Sequence, residues 1–191
     1  MPLMSNLSRR AALRHGTGLG LASLGLASST AFATILMDKS QAQQSLHPEA
    51  TGFVERAITL DPAKLAALTK LTDTRVPNGF SPICLQANAT NKLIGWVLFD
   101  RVIGKFDWID YAAGFKQDGS ACGVEIIAYR ESHGGEIRNK HWRRQFVGRQ
   151  GPQQIRFGED IKNISGATLS CQHVSDGVQR LSALIKLGFV Q

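Results

Sequence analysis

The sequence has little that would support metal or nicotinamide chemistry. Its three cysteines, Cys84, Cys122 and Cys171, include no Cys-x-x-Cys pair and no Cys-x-x-Cys-His haem attachment. None of the five histidines stands at ligand spacing from another histidine, a cysteine or a carboxylate, so no structural zinc is expected. There is no Gly-x-Gly-x-x-Gly fingerprint for a nicotinamide and no iron–sulfur ligand set. Nucleic acid is not an expected partner, because no arginine-rich arm, zinc finger or RNA-binding aromatic signature appears. No internal repeat is present either. What is there is a chain of 191 residues, 43% hydrophobic, about one domain long and able to bury a core. Its formal charge of +7 is less than it looks. Arg9, Arg10 and Arg14 crowd the N-terminus, and the remainder is only modestly basic.

That N-terminus reads Ser8-Arg9-Arg10-Ala11-Ala12-Leu13-Arg14, followed by a mild apolar run from Gly16 to Ala33 that ends in Ala31-Phe32-Ala33. Paired arginines, an apolar stretch and a small-x-small site make residues 1–33 a twin-arginine signal peptide. Two fates are open to it. Cleavage after Ala33 gives a periplasmic protein. Retention gives a membrane-anchored one facing the periplasm, since Thr34 to Met37 extends the run to about 22 residues, enough to span a bilayer. In an oxidising compartment Cys84 and Cys122 could form a disulfide. The alternative is that the cysteines are small buried hydrophobes.

Residues 34–52 read as a linker, polar over 38–50, and the folded domain is expected over 53–191. Asp61-Pro62 opens a short helix with an N-cap and a proline at the first helical position, and Leu65, Leu68 and Leu71 form its apolar stripe. Pro77-Asn78-Gly79 is a turn. Strands are expected over Ile83 to Gln86, Leu93 to Val102, Phe106 to Phe115 and Ala121 to Arg130. Asn88–Asn91 and the Asp118-Gly119 dipeptide supply hairpin turns. A short helix over Asn139 to Phe146 carries Trp142 and Phe146. Apolar positions Val174, Val178, Leu181, Leu184 and Ile185 predict an amphipathic helix from about Leu169 to Leu187. The fold class is α+β, a twisted antiparallel sheet flanked by helices.

The segment Ile164-Ser165-Gly166-Ala167-Thr168-Leu169-Ser170 precedes that last helix. It is a hydroxyl-rich turn at a helix N-terminus. Ser165 and Thr168 are candidate caps, Gly166 permits a tight turn, and the free N–H groups favour an anion such as a phosphate.

Ser165-Gly166-Ala167-Thr168 resembles the SGAT flavinylation motif of the FMN-binding domain family. Such domains occur in the C subunit of the sodium-pumping NADH:quinone reductase, the Rnf complex G subunit, nitrous oxide reductase regulators and small standalone periplasmic proteins. The resemblance extends over Gly104-Lys105, the Asp118-Gly119 hairpin, the block Tyr129 to Glu136 and the block Trp142 to Gly148, and covers residues 93 to 187. It implies that an FMN transferase joins FMN to Thr168 as a phosphoester, with Ser165, Gly166, Ala167, Leu169 and Ser170 around the phosphate. It further implies that Glu131, His133, Gly134 and Gly135 lie against the flavin ring. Trp142 and Phe146 could cover the ring or be plain core, and Gln145 is a candidate polar contact. The chain departs from the family in one place. Lys162 stands where an aspartate is usual, with Asp160 the nearest acid, and its ammonium is a candidate to neutralise the phosphate.

The resemblance points to an electron-transfer flavoprotein served by membrane or periplasmic redox partners rather than to a stand-alone catalyst. Two alternatives stand beside it. One is a small flavin-dependent reductase of metal ions or quinones. The other is a flavin-binding regulatory module without redox turnover.

Overall fold

The computed structural model describes residues 34–190. The signal peptide read over residues 1–33, and with it the cleavage site and most of the anchor, lies outside the described residues. Among the described residues no helix is long and apolar enough to cross a membrane.

Six strands form one antiparallel sheet. In chain order they are β1 (Thr34–Ile35), β2 (Gly52–Arg56), β3 (Ile83–Ala89), β4 (Lys92–Ile103), β5 (Trp108–Lys116) and β6 (Ala121–Tyr129). Their order across the sheet is β1-β6-β5-β4-β3-β2, so β3 to β6 form a meander and the N-terminal strands close its two edges. The turns expected from sequence form. Thr90 and Asn91 both take positive φ between β3 and β4, and Gly119 does so between β5 and β6.

The sheet is covered on both faces, which is why β4 and β5 read as nearly continuous hydrophobic runs. On one face Leu98, Val102, Ile109, Tyr111, Ala113 and Phe115 meet the helices α2 (Pro62–Thr72) and α4 (Thr168–Lys186), with the short helix α3 (Lys140–Arg143) between these two in the chain. From α4 come Val174, Val178, Leu181 and Leu184, all fully buried. On the other face Val97, Phe99 and Ala112 meet Ala42 and Leu46 of a helix α1 (Lys39–Leu46). The antiparallel sheet with its C-terminal helix is the α+β fold read from sequence.

Two local expectations are corrected, and the choice left open for the cysteines is decided. First, residues 39–46, read as part of a polar linker, are helical. Asp38 accepts from the Gln41 amide at 2.8 Å and Gln41 reaches back to the Asp38 amide at 2.9 Å, a capping box that starts the helix. Second, β5 begins at Trp108 rather than at Phe106. The Glu131 carboxylate takes the Phe106 and Asp107 amides at 2.6 and 3.0 Å, so these donors leave the ladder and form a turn, closed by Gly104 N–H to Asp107 O at 2.7 Å. Cys84 and Cys122 are not a disulfide pair. Cys84 is buried in the core on the α4 side, whereas Cys122 Sγ lies 3.7 Å from His47 Nε2 at the end of α1. The sheet separates them, beyond the reach of a bridge.

Candidate functional site

α4 begins without a side-chain cap. Its N-cap is Ala167, and no side chain accepts from its first turn. Ala167 N–H bonds to Ile164 O at 3.0 Å and Cys171 N–H starts the helical ladder on Ala167 O at 2.8 Å. Neither Ser165 nor Thr168 takes the capping role their hydroxyls suggested. Ser165 is exposed one residue before Gly166, which turns the chain at φ +86. Thr168 is the first helical residue, and its Oγ1 accepts a hydrogen bond from Asn163 Nδ2 at 2.9 Å. Among the described residues, the first-turn amides of Thr168, Leu169 and Ser170 therefore have no protein acceptor. Orphan donors at the positive end of a 19-residue helix are an anion site by construction.

The surface facing these amides is concave. One cleft of about 280 Å³ is lined by Thr168, Leu169, Ser170, Glu131, His133 and Gly134 among others, with Lys105 and Phe106 completing its wall. A second cleft of about 530 Å³ shares Glu131, His133, Gly134 and Gly166 with it and continues along Ser132, Gly135, Glu136 and Arg138 to Tyr129 and Thr34. Together they match the size of a cofactor site. The walls are polar and apolar in turn. Lys105 lies 4.9 Å over the Phe106 ring, which is 77% exposed, and Leu169 is exposed beside it.

The loop 131–134 is held from three sides. Glu131 fixes it to the 106–107 turn through the two amide bonds above. Tyr129 Oη donates to the His133 carbonyl and lies 3.1 Å from Ser170 Oγ, so one phenol joins β6, the loop and the first turn of α4. Burial pushes the Tyr129 hydroxyl above its ordinary pKa, which keeps it protonated and able to donate. Gly134 has φ +80, and a Cβ there would stand 2.7 Å from Tyr129 Oη and 3.0 Å from Ser170 Oγ. Only glycine fits this approach. The His133 ring is exposed in both clefts, with Nδ1 2.9 Å from Ser132 Oγ.

Thus Glu131, His133, Gly134, Gly135, Gly166, Ala167, Thr168, Leu169 and Ser170 converge on one connected surface, and Ser165 adjoins it without lining either cleft. Trp142 and Gln145 lie elsewhere. Trp142 is buried in the core, edge-on to Phe146 at 5.3 Å, with Nε1 donating to Lys162 O at 2.8 Å. Gln145 Oε1 accepts from the Lys162 amide at 2.8 Å. Both brace the segment around Lys162 that leads into the Ser165–Thr168 turn. The Lys162 ammonium donates to the Glu159 carbonyl at 2.8 Å and lines neither cleft. Sequence reasoning missed Asn163, Phe106 and Arg138, and it did not assign Tyr129 a role. Tyr129 stands in a block that had drawn notice, but nothing in a sequence shows which hydroxyl bridges two distant segments.

No curated protein matches the chain. Residues 104–183 match the family model described as the FMN-binding domain, a span that includes every lining residue of the two clefts except Thr34. The chain therefore carries an FMN-binding domain over residues 104–183, and that domain supports binding of FMN.

Proposed function

We propose that the chain is an exported electron carrier whose FMN is joined through its phosphate to Thr168 Oγ1. The observation that supports this most is the uncapped start of α4. A threonine hydroxyl, exposed and oriented by Asn163, stands beside three amide donors that no protein group accepts from. A phosphoester at Oγ1 would satisfy them. In attachment, Thr168 Oγ1 bonds to the flavin phosphorus of FAD, the pyrophosphate bridge breaks, AMP leaves and the hydroxyl proton goes to solvent. A transferase supplies that reaction.

FMN supplies one- and two-electron transfer; the protein's contribution is binding and electrostatics. Leu169 and Ser170 amides hold the phosphate, and Lys105 adds positive charge on the same cleft. Gly134 and Gly135 let backbone approach a flat ring, and Glu131 keeps their loop on the 106–107 turn. His133, exposed in both clefts, is placed to give or take a proton at the ring. Trp142 and Gln145 act from behind as supports. A covalent tether prevents loss of the cofactor outside the cytoplasm, in keeping with the twin-arginine leader. Electrons then pass to and from membrane or periplasmic partners.

The test is to mix flavin-loaded chain with a membrane fraction and follow flavin absorbance. Rapid reduction by the membranes, with no steady turnover of ferric ions or quinones by the purified protein, is expected. Sustained turnover with a soluble donor would replace the carrier with a reductase.

A further inference from the structure

A separate cavity of about 280 Å³ shares no lining residue with the two clefts. It exists because β4 outruns β3. The last β3–β4 pair at this end is Ile83 with Phe99, so residues 101–103 of β4 are paired on the β5 side only. The segment Thr74–Pro77 and one side of α4 enclose the space left beside them. Val102, Ile103 and Pro77 give it apolar walls. His173 Nδ1 on Ile103 O at 2.6 Å ties α4 to β4 and fixes the wall.

Three guanidinium groups, Arg75, Arg101 and Arg180, face one carboxylate in the lining, and Arg101 pairs with Asp110 at 3.5 Å. Arg180 is only 5% exposed, yet its Nε has no hydrogen-bond partner, and it makes no ion pair among the described residues. Arg75, at the mouth, is exposed and makes no ion pair among the described residues either. Asp176 is the one carboxylate in the lining. Burial pushes its carboxyl up, while the charges of Arg180 and His173 pull it down. Asp100, also near Arg180, already accepts from Tyr111 Oη at 3.0 Å. The Phe80 ring lies 5.8 Å from the Arg180 guanidinium carbon, a cation–π contact that gives Nε–H no acceptor. A buried donor left unpaired is costly, and an anion from outside is a partner that would relieve it.

We propose that this cavity binds a small organic anion, a carboxylate or phosphate monoester on an apolar body about the size of one aromatic ring, with Arg180 and Arg75 as its charge partners. The apolar walls exclude a bare inorganic ion as the best fit, and the guanidinium favours an anion over a neutral molecule. The site does not depend on the flavin.

The full chain is titrated calorimetrically with benzoate, phenyl phosphate, benzyl alcohol and inorganic phosphate, with and without FMN loaded. Saturable binding of benzoate or phenyl phosphate is expected, at least about tenfold tighter than of benzyl alcohol or inorganic phosphate. The tighter of the two names the head group. Arg75→Gln, an exposed change that spares the fold, weakens binding several-fold. Arg180→Met abolishes it. The proposal is overturned by no saturable binding, by equal binding of benzyl alcohol, or by binding that Arg75→Gln leaves unchanged. It is equally overturned by loss of binding on FMN loading, which would make the cavity part of the flavin site.

Discussion

Replacing Tyr129 with phenylalanine tests how the cofactor loop is held. The change deletes one hydroxyl and little volume. It removes the bond to the His133 carbonyl and the contact with Ser170 Oγ, and Ser170 is buried at 5% exposure. Two neutral hydrogen bonds at about 0.5–1.5 kcal/mol each give a loss of about 1–3 kcal/mol. In a domain of this size each kcal/mol lowers Tm by about 2–4 °C. The attribution needs a double-mutant cycle with Ser170→Ala, followed by urea unfolding of the flavin-free chain. If Tyr129 and Ser170 bond directly, the two losses are non-additive by at least about 0.5 kcal/mol. Losses that add to within about 0.3 kcal/mol would refute the bridge between β6 and α4.

Two further outcomes follow from the buried groups. Asp100 is held above the ordinary carboxylate range by burial, which outweighs the Tyr111 bond and the nearby arginines. A carboxyl raised in the folded state contributes stability that is fully present below the unfolded value of about 4 and is lost as pH rises through the folded value. Asp100→Asn should therefore flatten the fall in stability above about pH 4, seen in unfolding midpoints across pH; an unchanged profile would contradict the assignment. Burial also pushes the Cys84 thiol up to about 12 and the Cys122 thiol up to about 11. Native protein at neutral pH should resist iodoacetamide, while denatured protein takes up three equivalents, counted by mass. Rapid native labelling of Cys84 would contradict its place in the core.

The legible part of this fold is the part whose signals are local. Asp118-Gly119 and the apolar alternation around it specify the β5–β6 hairpin with no help from the rest of the chain, and the α4 stripe is unambiguous. The helix α1 was hidden because its buried face consists of only Ala42 and Leu46 among polar residues; it is helical because of a capping box and because the sheet needs cover on that face. The start of β5 was misplaced because a carboxylate from residue 131 captures the amides of 106 and 107, a contact 25 residues away from Phe106. The site shows the same division. Thr168 was legible because motif and helix start coincide there. Trp142 stood between ring cover and core on sequence alone; it is core, and its indole holds Lys162 O. The missing capping bond at α4 was invisible, since Ser165 and Thr168 look like caps and only the backbone shows that they are not.

The account rests on Thr168, and the most direct measurement is the intact mass of the chain made in a host with an active FMN transferase, beside Thr168→Ala. A gain of one FMN less one water in the wild type, absent from the variant, is the predicted result. An unmodified wild type, with the transferase shown active on another target, or a gain that survives in Thr168→Ala, would contradict it.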